Sequence, residues 1–96
     1  MKKILLIIPA YNESERIVGL INNVRNYIEE SDLELSYLVI NDGSTDNEEN
    51  LLIKHSIHHV ELIQNLGIGA AMQTGYKYAL ENNYDFAVQF DGDGQH

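Results

Sequence analysis

The 96-residue chain carries 15 acidic against 6 basic side chains, a formal net charge of -9, and no cysteine. That balance argues against nucleic acid as a partner, which needs clustered Lys and Arg. The missing thiols exclude a disulfide framework and a zinc–thiolate centre. A phosphate ligand stays within reach, because a bound cation can supply the positive charge locally, and the 44% hydrophobic share is that of a globular domain.

The first element is the unbroken apolar run Ile4-Leu5-Leu6-Ile7-Ile8. A run this short and continuous predicts a strand buried on both faces, as in a parallel sheet. It follows Met1-Lys2-Lys3 in the manner of a signal peptide, but it is too short and is closed by Pro9 rather than by small residues. The chain is therefore expected to be soluble and cytosolic. Pro9, which has no N–H for a ladder, is expected to end the strand. Asn12 and Glu15 have the spacing of a capping box. They predict a helix from Ser14 to about Glu30, with Ile17, Leu20, Ile21, Val24 and Ile28 as its apolar stripe.

A polar connector, Ser31 to Ser36, leads to a second buried strand, Tyr37-Leu38-Val39-Ile40, and the turn Asn41-Asp42-Gly43-Ser44. Thr45 and Glu48 repeat the capping-box spacing, so a shorter helix is expected from Asp46 to about His55. His59 to Ile63 reads as a third, more polar strand at a sheet edge. After the loop Gln64-Asn65-Leu66-Gly67, a third helical stripe comprises Ile68, Ala71, Met72, Gly75, Tyr76 and Ala79. A fourth strand, about Asp85 to Phe90, runs into Asp91-Gly92-Asp93-Gly94-Gln95-His96.

Alternation of this kind predicts an α/β fold, a Rossmann-like parallel sheet of about four strands with helices on both faces; the expected strand order is 3-2-1-4, which would make the first and fourth strands neighbours. Ligands of such sheets sit outside the carboxyl ends of the strands, where the strand order reverses. Tyr11-Asn12-Glu13, Asn41-Asp42, Asn65 and the pair Asp91/Asp93 all fall at that rim. Two carboxylates one residue apart repel unless a cation lies between them, and Mg²⁺ is typically held by one or two carboxylates plus phosphate oxygens. The constellation predicts a metal–diphosphate site.

Each feature also has a plainer explanation. Asp and Gly are ordinary turn residues. An EF-hand loop would need glycine at its sixth position, where His96 stands. Gly67-Ile68-Gly69 would place the third glycine of a dinucleotide fingerprint at Met72, so a tight loop is the better reading, its free amides able to face an anion. His55, His58 and His59 lack a carboxylate at ligand spacing and read as surface or strand residues. Glu15 reads as a helix-start carboxylate.

Ile8-Pro9-Ala10-Tyr11-Asn12-Glu13, Val39 to Asp46, Asn65 to Ala71 and Asp91 to His96 together resemble the family 2 glycosyltransferases. The resemblance is strongest to the dolichyl-phosphate mannosyltransferase-like, polyprenyl-phosphate branch. It implies a GT-A fold, and inverting, metal-dependent transfer of a sugar from a UDP- or GDP-linked donor to a polyprenyl phosphate or growing glycan. Pro9, Ala10, Tyr11 and Glu13 would border base and ribose, Asp42 would contact the base, and Asp91 would lie by the ribose and metal. Asp93 would be the principal ligand of Mg²⁺ or Mn²⁺, with Gln95 a further one. The family often has Asp where this chain has Asn41.

The resemblance covers the nucleotide-binding half of such an enzyme, so residues 1–96 are expected to be an N-terminal part, cut after the Asp-x-Asp motif. A general base for a hydroxyl acceptor would come from beyond it, as would any membrane association at the cytoplasmic face; a lipid phosphate acceptor, already anionic, would need no such base. By itself the piece should be inactive and should self-associate through its fourth strand. The rival readings are a sugar-nucleotide nucleotidyltransferase, which would want a Gly- and Arg-rich loop after the first strand, and a non-catalytic nucleotide-binding module.

Overall fold

The computed structural model describes residues 2–91. β1 (Lys3–Ala10), α1 (Ile17–Glu30), β2 (Glu34–Asp42), α2 (Glu48–Lys54), β3 (His59–Leu62), α3 (Ile68–Glu81) and β4 (Phe86–Gln89) follow one another in strict alternation. The strands form one parallel sheet in the order β3-β2-β1-β4, as expected. β3 lies at one edge.

The apolar run of β1 explains the layering. Alternate side chains of a strand point to opposite faces. Leu6 and Ile8 thus join Ile17, Ile21 and Val24 of α1, Leu52 of α2 and Ile57 in one core cluster. Leu5 and Ile7 join Leu38, Ile40 and the α3 residues Ala71, Met72 and Ala79 in the other. Each fully buried Leu or Ile contributes about 1.5–3 kcal/mol, so the central strand anchors both layers. α3 approaches closely because Gly75 faces β1: a Cβ there would lie 2.5 Å from Cγ2 of Ile7. Ala71, Gly75 and Ala79, four residues apart, form that small-residue contact face. Tyr76 and Ile68 of the expected stripe are instead about half exposed.

Several boundaries differ from expectation. β1 runs through Pro9, which pairs with Ile40 in register. The Ile7 carbonyl accepts from the Phe90 N–H at 2.8 Å, so Ile7 faces β4. Pro9, two residues on, faces the same side, and its missing N–H ends the β4 ladder rather than the strand. β2 starts at Glu34, within the expected connector, because Glu34 to Ser36 pair with Lys3 to Leu5.

α1 begins at Ile17, and among the described residues no side chain caps it. Asn12 is instead in the left-handed region (φ 53°) and its side chain points to the β2–α2 turn. α2 begins at Glu48, whose N–H is taken by Asp46 Oδ1 at 2.9 Å rather than by Thr45. His59 does have a carboxylate partner: its Nε2 lies 3.2 Å from Glu61 Oε2, two residues along the same strand face. Among the described residues no helix is long and apolar enough to cross a membrane.

Candidate functional site at the switch point

β1 leads by one crossover to β2 on one side, and β4 lies on its other side, so the carboxyl ends of β1 and β4 flank the switch point of the sheet. An open cleft of about 290 Å³ sits there. Pro9, Ala10, Tyr11, Glu13, Asp42 and Asp91, the residues expected around a nucleotide, all line it. Asn65, Gly67 and Ile68 complete the lining. Asp93 and Gln95, the other expected metal ligands, lie outside the described residues. Among the described residues no group of three or more His, Cys, Asp or Glu could hold a metal.

Asp42 closes β2 and is 4% exposed. Its Oδ1 accepts from Leu66 N at 2.9 Å, and its Oδ2 from Gly67 N at 2.9 Å and Asn65 Nδ2 at 3.1 Å. The carboxylate thus lies just ahead of α3, bonded to the amides of the N-cap Gly67 and of Leu66 before it, where the helix dipole favours negative charge. An ionised carboxylate offers about four acceptor positions. Among the described residues Oδ2 accepts two donors and Oδ1 one, which leaves Oδ1 one acceptor position. Gly43 (φ 67°) follows directly, and a Cβ on it would lie 2.3 Å from the backbone N of Asn65.

Asp91 follows the last β1–β4 bond, that from Phe90 N to Ile7 O. Its Oδ1 accepts from Gln89 Nε2 at 2.9 Å.

The wall formed by the β1–α1 turn is tied to the β2–α2 turn. Asn12 N donates to Ser44 Oγ at 2.9 Å, Glu13 N to Glu48 Oε1 at 2.7 Å, and Ser14 N to Asp46 Oδ2 at 3.1 Å. In return Asn12 Oδ1 accepts from Thr45 N at 2.8 Å and Asp46 N at 3.2 Å. Desolvation works to raise the Asp46 pKa, but the Ser14 and Glu48 backbone amides outweigh it and hold the carboxyl below its ordinary value. Burial pushes Glu48 above the usual carboxylate range, opposed by the Glu13 amide and reinforced by the charges of Asp46 and Glu13. Asn41 joins a second network: Ser44 Oγ donates to its Oδ1, and its Nδ2 donates to Glu61 Oε1 at 2.8 Å. An amide thus does here what a carboxylate could not, since only the amide donates to Glu61.

Sequence reasoning placed Asn12 at the rim but missed Asn12, Asp46 and Glu48 as ties between the two turns. The i, i+3 spacings of Asn12 with Glu15 and of Thr45 with Glu48 also fit local helix caps, and nothing local separates the two uses.

The sequence model of glycosyl transferase family 2 matches residues 5–96. A UDP-N-acetylglucosamine–dolichyl-phosphate N-acetylglucosaminyltransferase of Methanococcus voltae is 34% identical over 99% of this chain and 43% of its own length. An undecaprenyl-phosphate mannosyltransferase of Micrococcus luteus is 32% identical over 98% of this chain and 39% of its own length. The chain thus spans about two-fifths of these relatives. Among solved structures, a mannosyltransferase from Pyrobaculum calidifontis in complex with GDP-Man and Mn²⁺ superposes with a TM-score of 0.60 at 24% identity, over 79% of this chain and 24% of that one. That likeness supports the GT-A type of sheet. With the family match over nearly all its length and relatives above 30% identity, the chain belongs to glycosyl transferase family 2.

Proposed function

We propose that residues 1–96 form the nucleotide-sugar-binding part of an inverting, metal-dependent glycosyltransferase whose acceptor is a polyprenyl phosphate. The observation that carries this reading is the convergence of Pro9, Ala10, Tyr11, Glu13, Asp42 and Asp91 on one cleft at the switch point. The dolichyl- and undecaprenyl-phosphate acceptors in the relatives' names support the acceptor class.

In this reading Tyr11 and Glu13 border the base and ribose. The remaining acceptor position on Asp42 Oδ1 takes a ring N–H of the base, which uracil and guanine both present. Asp91 lies by the ribose and the metal, and with it Asp93 and Gln95 would hold Mg²⁺ or Mn²⁺. Their all-oxygen donor set suits such hard cations, and the structural neighbour is in complex with GDP-Man and Mn²⁺. The cation, when bound, neutralises charge developing on the leaving diphosphate. An acceptor phosphate oxygen forms the new bond to the anomeric carbon as the bond to the diphosphate breaks from the opposite face. Because that oxygen is already anionic, no general base is needed.

Calorimetry with UDP and GDP, with and without Mn²⁺, tests the site. Metal-dependent binding of one diphosphate is expected. Asp93→Ala should weaken it by roughly tenfold or more, about 1.4 kcal/mol. Binding of neither nucleotide in either condition would sink the reading, and binding indifferent to metal and to Asp93 would favour a non-catalytic module.

We also infer that the 96-residue chain pairs with itself through β4. Phe86 and Val88 of that strand are about half exposed, and its outer edge has no ladder partner among the described residues. Such an edge is a template for another strand. Light scattering should show dimers or larger species that Val88→Lys converts to monomer. A monomeric wild type at high concentration would refute the pairing.

A further inference from the structure

Glu48 is wholly buried although it opens a surface helix and its neighbours Asn47 and Glu49 are exposed. A carboxylate in that position would ordinarily turn to solvent, since burying it is unfavourable unless it is bonded. One oxygen is bonded, to the Glu13 backbone N–H at 2.7 Å. The other, Oε2, has no partner among the described residues. The Glu13 N–H is thus a backbone donor that offsets the burial of this carboxylate, with the Ser44 hydroxyl also favouring its charged form.

That contact bears on the cleft. Glu13 lines it, as does Tyr11, and between them Asn12 sits at a positive φ of 53°. Asn tolerates that region better than other non-glycine residues, and here its side chain is fixed by the Thr45 and Asp46 amides. The Glu13 carbonyl also accepts from Arg16 N and Ile17 N at 2.9 and 2.8 Å, so the same residue leads into α1. Its N–H side is tied by Glu48 and its C=O side by the helix.

We infer that Glu48 is a positioning residue of the nucleotide cleft: it stays out of contact with the ligand and holds the Tyr11–Glu13 wall in its binding shape through the Glu13 N–H. The inference rests on the donor-site reading above. A wall already in place needs no ordering when ligand arrives, and that ordering is a principal penalty of binding.

The test compares Glu48→Leu, which keeps the volume and removes the acceptor, with Glu48→Gln, which keeps an acceptor. Replacing a buried carboxylate by a well-packed apolar group is often neutral or stabilising. A loss of binding without a matching loss of thermal stability is therefore the mark of positioning. In Glu48→Leu the hydrogen-exchange protection of the Glu13 amide and the affinity for the diphosphate that wild type binds should each fall roughly tenfold. The Ile7 amide in the sheet should be unchanged, and Glu48→Gln should restore both readouts to within about threefold. Retained Glu13 protection in Glu48→Leu overturns the inference, as does wild-type affinity in a variant whose Glu13 amide has come free. A binding loss that tracks lost stability in both variants also overturns it. If wild type binds neither UDP nor GDP, the donor-site reading itself has failed and the positioning role goes with it; the Glu13 amide data tell that case apart.

Discussion

Gly43→Ala should lower stability by about 3 kcal/mol or more, the sum of a left-handed residue gaining a Cβ and a backbone collision. Gly43 has φ 67°, and its added Cβ would lie 2.3 Å from both Asn65 N and Gln64 C. Those atoms belong to backbone, so no rotamer change can relieve the contact. The β3–α3 loop must move, and with it the amides that hold Asp42 and the Asn65–Ile68 side of the cleft. For a domain of this size the loss corresponds to a Tm lower by more than about 10 °C. Urea denaturation followed by circular dichroism measures it directly. An alanine variant within a degree or two of wild type would show that the two turns are not packed as described.

Asp42→Ala is expected to be nearly as damaging, and more damaging to binding. It removes the acceptor for Leu66 N, Gly67 N and Asn65 Nδ2 together. Hydrogen bonds to a charged group are worth about 1.5–3 kcal/mol each, though three sharing one carboxylate are not additive. A total of about 3 kcal/mol follows, since some freed donors reach water. Asp42→Asn is the sharper probe. Its shape is kept, but one oxygen becomes an NH₂ that must face a backbone N–H or the Asn65 amide. It should lose about 1–3 kcal/mol and the exchange protection of the Leu66 and Gly67 amides. In the donor-site reading both variants also lose nucleotide binding, because a base has no anchored acceptor left at the end of β2. An asparagine variant as stable as wild type, with both amides still protected, would disprove the arrangement around Asp42.

Both predictions concern contacts between turns, and there the sequence was least informative. The strands were readable because Leu5 to Ile8 and Leu38 to Ile40 are apolar without a break, which only a doubly covered strand requires. The parallel sheet followed from alternation and the handedness of crossovers, whereas its order 3-2-1-4 was one of the arrangements these allow. Residues bordering the cleft could be named in advance because the carboxyl rim of such a sheet gathers the turns after β1, β2 and β4. Glu34 to Ser36 were misjudged because a polar segment at the start of a strand looks like a loop until its partner strand is known. Pro9 was misjudged for a related reason: whether proline breaks a ladder depends on which neighbour its nitrogen faces.

Glu48, Asn12 and Asp42 mark the boundary. An acidic residue three places after Thr45, and another three after Asn12, carry the local pattern of a helix cap, and a free amide at the start of α3 looks like a place for a foreign anion. The amino-acid order alone determined the alternating elements, the two-sided core and the rim on which polar side chains gather. It could not determine where those side chains turn. A carboxylate is satisfied equally by an amide three residues away or by one thirty-five residues away, and only the packing of one turn against another decides which amide it finds.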